Sequence, residues 1–107
     1  MNKIYKKIAE ELNIKESQVE AAVKLLDEGS TVPFISRYRK EVTGSLNDEQ
    51  LRTLDERLKY LRELEERKET VIKSIDEQGA LTKDLKKKID EAMTMVALED
   101  LYRPYIP

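Results

Sequence analysis

The chain has 107 residues, 39% charged and 39% hydrophobic, and its 20 Lys and Arg set against 22 Asp and Glu leave a net charge of −2. That length suffices for one domain with a core, while the charge balance excludes a surface that grips a polyanion all round and leaves only a local basic patch. No Cys and no His exclude disulfide scaffolds, thiolate nucleophiles, Cys/His zinc sites and imidazole catalysis, and 6% aromatic residues with three Gly and three Pro favour helices over sheet.

The start is cationic at Lys3, Lys6 and Lys7, but Glu10, Glu11 and Asn13 interrupt any apolar core of a signal peptide. No stretch approaches the run of about 18 apolar residues that a membrane span needs, so the expectation is a cytoplasmic chain with no membrane contact. Ile4, Ile8 and Leu12 mark one stripe of a first helix over 2–12, ended by Asn13. Val19, Ala22, Val23 and Leu26 mark a second over 16–28, closed by Gly29. Pro33 suits the first turn of a third over 32–40, whose apolar side is Phe34, Ile35 and Tyr38, before Thr43-Gly44-Ser45 breaks it.

Asn47 with Gln50 three residues later is a capping box, and an unbroken helical pattern follows it to Gln78-Gly79. Leu51, Leu54, Leu58 and Leu61, then Ile72 and Ile75, step by threes and fours like a heptad seam, with Glu65 and Lys68 in its middle. Leu64 and Val71 form an adjoining stripe, so this helix should meet one neighbour in its first half and another in its last. At 1.5 Å per residue it is a spine of roughly 46 Å. Thr82 caps a fifth helix with Leu85, Ile89, Ala92 and Met93 inward, and Thr94 caps a last short one through Leu98 and Leu101. Pro104 and Pro107 then impose an extended tail, which reads as cut through a longer chain. The fold class expected is all-α, a multi-helix bundle, divided into a helix-turn-helix-like part (1–46), the long helix (47–78), and short helices with a tail (79–107).

Three constellations could carry function. The first 26 residues have helix-turn-helix rhythm, but the second helix offers only Lys15, Gln18 and Lys24 against Glu16, Glu20, Asp27 and Glu28, and carboxylates repel phosphate. Arg37, Tyr38, Arg39 and Lys40 form the one basic cluster with an aromatic inside it, the groups that stack on bases, pair phosphates or contact a protein. The alternative is that Tyr38 packs inward and the cations pair with Glu41 and the spine. Lys86-Lys87-Lys88, surrounded by Asp84, Asp90 and Glu91, reads as a solvated face. The carboxylates elsewhere stand at ion-pair spacing: Asp55 with Lys59, Glu63 with Arg67, Glu69 with Lys73. Gly29, Gly44 and Gly79 are too scattered for a phosphate loop. No nucleophile or tuned acid–base pair can be assembled, so no enzyme activity, catalytic residue, metal or cofactor is expected.

The strings Thr31-Val32-Pro33-Phe34-Ile35-Ser36-Arg37-Tyr38-Arg39-Lys40-Glu41, Thr43-Gly44 with Leu46, Leu58-Lys59-Tyr60-Leu61-Arg62-Glu63-Leu64, and Leu98-Glu99-Asp100-Leu101-Tyr102 with Pro104-Tyr105 resemble the N-terminal region of the Tex family of bacterial transcription accessory proteins. The resemblance covers essentially the whole chain and extends, more distantly, to larger eukaryotic elongation and histone-chaperone factors. It implies a helical N-terminal module of a longer parent that carries an RNase H-like domain, helix-hairpin-helix elements and an S1 domain. RNA or DNA would then be bound mainly through those absent domains. The partners implied are the other domains of the parent and the transcription machinery. Two functions follow: a non-catalytic scaffold and protein-interaction module, or an auxiliary nucleic-acid-binding module using Arg37 to Lys40. They differ in whether those cations are open or consumed by carboxylates of the same chain.

Overall fold

The Asn2 carboxamide accepts the amide hydrogens of Ile4 and Tyr5 and starts α1 (Lys3–Leu12), which Asn13 ends in the left-handed conformation at φ 54°. The computed structural model describes residues 2–107, and its regular structure among them is helical throughout. In α2 (Glu16–Asp27) the Gln18 side chain accepts the Lys15 amide at 3.0 Å, and Gly29 follows at φ 97°. Thr31 caps α3 (Val32–Tyr38) through the Phe34 amide, with Pro33 in its first turn where no N–H is needed.

The third helix is shorter than the sequence pattern suggests. Arg39, at φ −129° and ψ 29°, breaks it, and the chain restarts as one turn, α4 (Lys40–Thr43), closed by Gly44 at φ 69°. The restart is held from α2: Gln18 Nε2 donates to the carbonyls of Thr43 at 3.0 Å and Gly44 at 3.3 Å. Buried Thr43 in turn accepts the Leu46 amide on its hydroxyl. These bonds tie α4 to α2 at the Thr43-Gly44 break that the sequence marks.

The Asn47–Gln50 box forms as expected, with Gln50 Oε1 accepting from the Asn47 amide at 2.9 Å and Asn47 Oδ1 from the Gln50 amide at 2.8 Å. It opens α5 (Asp48–Glu77), 30 unbroken residues that span about 45 Å. Thr82 caps α6 (Lys83–Glu91) and Thr94 caps α7 (Met95–Tyr102), each hydroxyl accepting an amide three residues on. A 3-10 turn, Arg103–Tyr105, follows.

The chain packs as two compact units, one ending at Leu61 and one running from Arg62 to Pro107, so α5 contributes its first half to one core and its last half to the other. In the first unit Ile8, Val19, Val23, Ile35 and Leu46 are buried with Leu51, Leu54 and Leu58 of α5. Arg57 of α5 grips Glu11 of α1 with two bonds of 2.7 and 2.9 Å, and Ser36 of α3 donates to Asp48 at 2.5 Å.

In the second unit the buried line of α5 runs through Leu64, Val71 and Ile75, with Ile72 only half-buried, so the adjoining stripe of the sequence joins the seam position Ile75 in forming the core. Lys68 is buried on that line: its ammonium donates to the Asp90 carbonyl in the last turn of α6 at 2.8 Å and pairs with Glu65 at 3.1 Å. Its charge therefore sits against unsatisfied carbonyls at a helix C-terminus. Arg67 bonds Glu99 of α7 at 2.6 and 3.2 Å, not the expected Glu63, because a carboxylate presented bidentately by another helix outcompetes a flexible neighbour. Asp55 and Lys59 pair as expected at 3.2 Å, whereas Glu69 and Lys73 form no ion pair.

Two further expectations fail. Met93 is 52% exposed: Ala92 leaves helical geometry at ψ 130°, so Met93 drops out of the helical phase that would turn it inward. The tail is not extended through 102–105. Tyr102 is buried with its hydroxyl 2.8 Å from Ser74 Oγ, Pro104 fits the 3-10 turn, and Gln78 donates to the Tyr105 carbonyl at 2.8 Å. Ile106 beyond the turn is 55% exposed.

Candidate functional site

Helical spacing in α3 sends Ile35 into the core and puts Phe34 and Tyr38, four residues apart, on one outward face. Phe34, read as part of the apolar side, and Tyr38, inward in one of the two readings of its cluster, both face outward: Phe34 is 38% and Tyr38 54% exposed, joined by Val42 of α4 at 48%. Seven residues give a single buried anchor, and Ile35 fills it. Their rings lie 5.3 Å apart at 46°, close to the tilted geometry that aromatic pairs prefer.

Two guanidinium groups cover these rings. The Arg39 carbon Cζ stands 4.9 Å from the Phe34 centroid, and that of Arg37 5.4 Å from Tyr38. Each contact is worth about 0.5–1 kcal/mol at an exposed site, enough to bias the side chains toward one arrangement. Arg39 also donates to the Tyr38 carbonyl at 3.0 Å. Among the described residues no carboxylate is ion-paired with Arg37, Arg39 or Lys40. Asp48 of α5 accepts from Ser36, and Glu41 is exposed and has no ion pair among the described residues. Lys40 borders a shallow cleft of about 330 Å³ with Ser36, Ser45, Leu46, Asn47 and Asp48. The structure thus brings Arg37, Tyr38, Arg39 and Lys40 together on one open, locally cationic surface, with Phe34 and Val42 added to them.

The candidates on α2 do not join it. Gln18, read as a base or phosphate contact, is occupied at both ends of its carboxamide by Lys15, Thr43 and Gly44, so it is a strut between α2 and α4. Lys15 and Lys24 are exposed, but Glu16 and Glu20 border a cleft of about 350 Å³ with Asn2, Tyr5 and Ser17, which gives that side of α2 an anion-repelling mouth. Lys86 pairs with Asp90 and Lys88 with Asp84 at 3.2 and 3.4 Å, the neutralised, solvated face expected there. The carboxyls whose acidity the fold changes are structural. Hydrogen bonding to Arg57 holds Glu11 below the ordinary carboxylate value, and bonding to Arg67 does the same for Glu99, while both arginines are pushed up in return. Among the described residues no three Asp or Glu side chains converge on a cation position, and no helix is long and apolar enough to cross a membrane.

The family profile of the Tex-like protein N-terminal domain matches residues 2–76. The chain is 61% identical over 100 residues to Protein YhgF of Escherichia coli and 60% identical over 100 residues to the Transcriptional accessory protein Tex of Neisseria gonorrhoeae, covering 94% of this chain and 13% of each relative. It is 30% identical over 98 residues to the human S1 RNA-binding domain-containing protein 1, covering 92% of this chain and 10% of that protein. The chain therefore spans about an eighth of the length of the curated relatives it matches.

Proposed function

The chain belongs to the Tex-like protein N-terminal domain family, and from that premise we propose that it is a non-catalytic scaffold and protein-interaction module of a transcription accessory protein, whose working surface is the outward face of α3. It positions the nucleic-acid-binding parts of a longer parent and contacts that parent's domains or the transcription machinery. The observation that carries this reading is the open cluster of Arg37, Tyr38 and Arg39, biased by ring stacking and left without ion-paired carboxylates among the described residues. The acidic bias of exposed α2 supports it, because a helix-turn-helix that reads duplex DNA needs cations where Glu16 and Glu20 stand.

A second reading is favoured by the same unpaired cations: auxiliary contact with a nucleic acid, in keeping with the RNA-binding name of the human relative. Titrating the chain with single- and double-stranded RNA and DNA at two salt concentrations separates the two. The scaffold reading expects no saturable binding at physiological salt, since the parts before and after residue 46 carry only +1 and −3 and three cations make too few phosphate contacts. Tight, salt-sensitive binding abolished by Arg37→Glu would establish the auxiliary reading instead.

A further inference from the structure

We propose that the α3 face docks an acidic protein segment with an apolar anchor, a short peptide stretch in which Asp or Glu residues flank a Leu, Phe or Trp side chain. The inference rests on the interaction-module reading and names the chemistry of the partner. Charge complementarity is the first argument. Arg37, Arg39 and Lys40 place three cations within four residues, and among the described residues none of them is ion-paired, although the chain has 22 Asp and Glu. Elsewhere the same fold supplies carboxylates to two of its arginines bidentately, gripping Glu11 with Arg57 and Glu99 with Arg67 through two bonds each. Arg37, Arg39 and Lys40 thus form a contiguous cluster to which the described residues supply no carboxylate.

The second argument is their pose. A guanidinium stacked on a ring keeps its N–H edge free, and that planar fork matches a carboxylate bidentately. Stacking on Phe34 and Tyr38 orders both groups before a partner arrives, with Arg39 Nη1 already donating to the Tyr38 carbonyl and its remaining N–H groups left for a carboxylate, which lowers the entropy cost of capture. The third argument is the apolar component. Phe34, Tyr38 and Val42 expose large side chains beside the cations, and aromatic residues with Arg are the groups that dominate protein interfaces. A nucleic acid fits less well: bases stack best on bare ring faces, and here a guanidinium already lies over each ring.

The test is a selection of random 12-residue displayed peptides on the 107-residue chain, followed by fluorescence anisotropy of the best synthetic peptide at 50 and 200 mM salt. The expected result is enrichment of sequences with Asp or Glu flanking Leu, Phe or Trp. Affinity should fall at least tenfold in Arg37→Glu/Arg39→Glu and in Tyr38→Ala, and stay within twofold in Lys87→Glu. Arg37, Tyr38 and Lys87 are exposed and Arg39 is half-buried, so unchanged thermal midpoints will certify folding. Enriched peptides without acidic residues that are nonetheless lost in Tyr38→Ala would overturn the acidic class while leaving the interaction reading standing. No enriched peptide, together with tighter binding of a twelve-residue oligouridine, would overturn both.

Discussion

Lys68 offers the sharpest test of how the second unit is held together. It is 4% exposed, its ammonium bonds the Asp90 carbonyl at 2.8 Å, and its stem lies on the buried line of α5 between Leu64 and Val71. Truncation in Lys68→Ala removes three buried methylenes, about 2.4 kcal/mol at ~0.8 each, and a charge-assisted hydrogen bond worth about 1.5–3 kcal/mol. The Glu65 contact joins neighbours on one helix with a partly exposed partner, so it adds less than about 1 kcal/mol. The Asp90 carbonyl belongs to an exposed residue and can recover water, which places the sum near the low end, at about 4 kcal/mol. Lys68→Met keeps an apolar stem and should cost only about 1.5–2 kcal/mol, the hydrogen bond alone. Urea unfolding followed by far-ultraviolet circular dichroism resolves the two, because at a slope of about 1.5 kcal/mol/M the alanine variant moves the midpoint by more than 2 M. Equal losses for Ala and Met, or losses below about 0.5 kcal/mol in both, would refute the reasoning.

Leu58, 3% exposed on the first-unit half of α5, should lose about 2–5 kcal/mol as Leu58→Ala, read from the same unfolding curves. Gly44→Ala should cost about 1–2 kcal/mol for its left-handed backbone alone, and more because the new Cβ would stand 2.7 Å from Gln18 Nε2, the strut between α2 and α4; a thermal midpoint within a degree of wild type would contradict this. Glu11 and Glu99 are held below the ordinary carboxylate value by their arginines, so the unfolded chain takes up their protons first. Their stabilisation is complete above the ordinary carboxylate pKa and vanishes as pH falls through the lowered folded values. Glu11→Gln and Glu99→Gln should therefore each lose stability at pH 7, by under about 1 kcal/mol for such part-exposed pairs, and little at pH 2, which urea midpoints at the two pH values will check.

Local chemistry written in a few adjacent residues was readable in advance. The caps at Thr82 and Thr94, the Asn47–Gln50 box and the left-handed Asn13 each act over three or four residues, and each forms where the pattern placed it. The division of α5 between two neighbours was visible in the polar interruption at Glu65 and Lys68. Long-range pairing was not. Gln18 bonds residues 25 and 26 positions away, and Arg67 finds Glu99 in place of Glu63, four residues before it; no spacing rule encodes such partners. The basic cluster was visible by residue type, but its openness was not. A seven-residue helix with Ile35 as its buried anchor turns Phe34 and Tyr38 to solvent, against the usual reading of aromatic residues as core.

The central claim is that the face formed by α3 and α4 is where this chain meets its partner. The most direct measurement is an amide ¹H–¹⁵N shift map of the chain titrated with the selected acidic peptide at 0.15 M salt. Shifts concentrated between Val32 and Thr43 and lost in Arg37→Glu/Arg39→Glu are the expected result. Shifts centred on Glu16–Asp27 or on Lys83–Tyr102, with Val32–Thr43 unmoved, would contradict it.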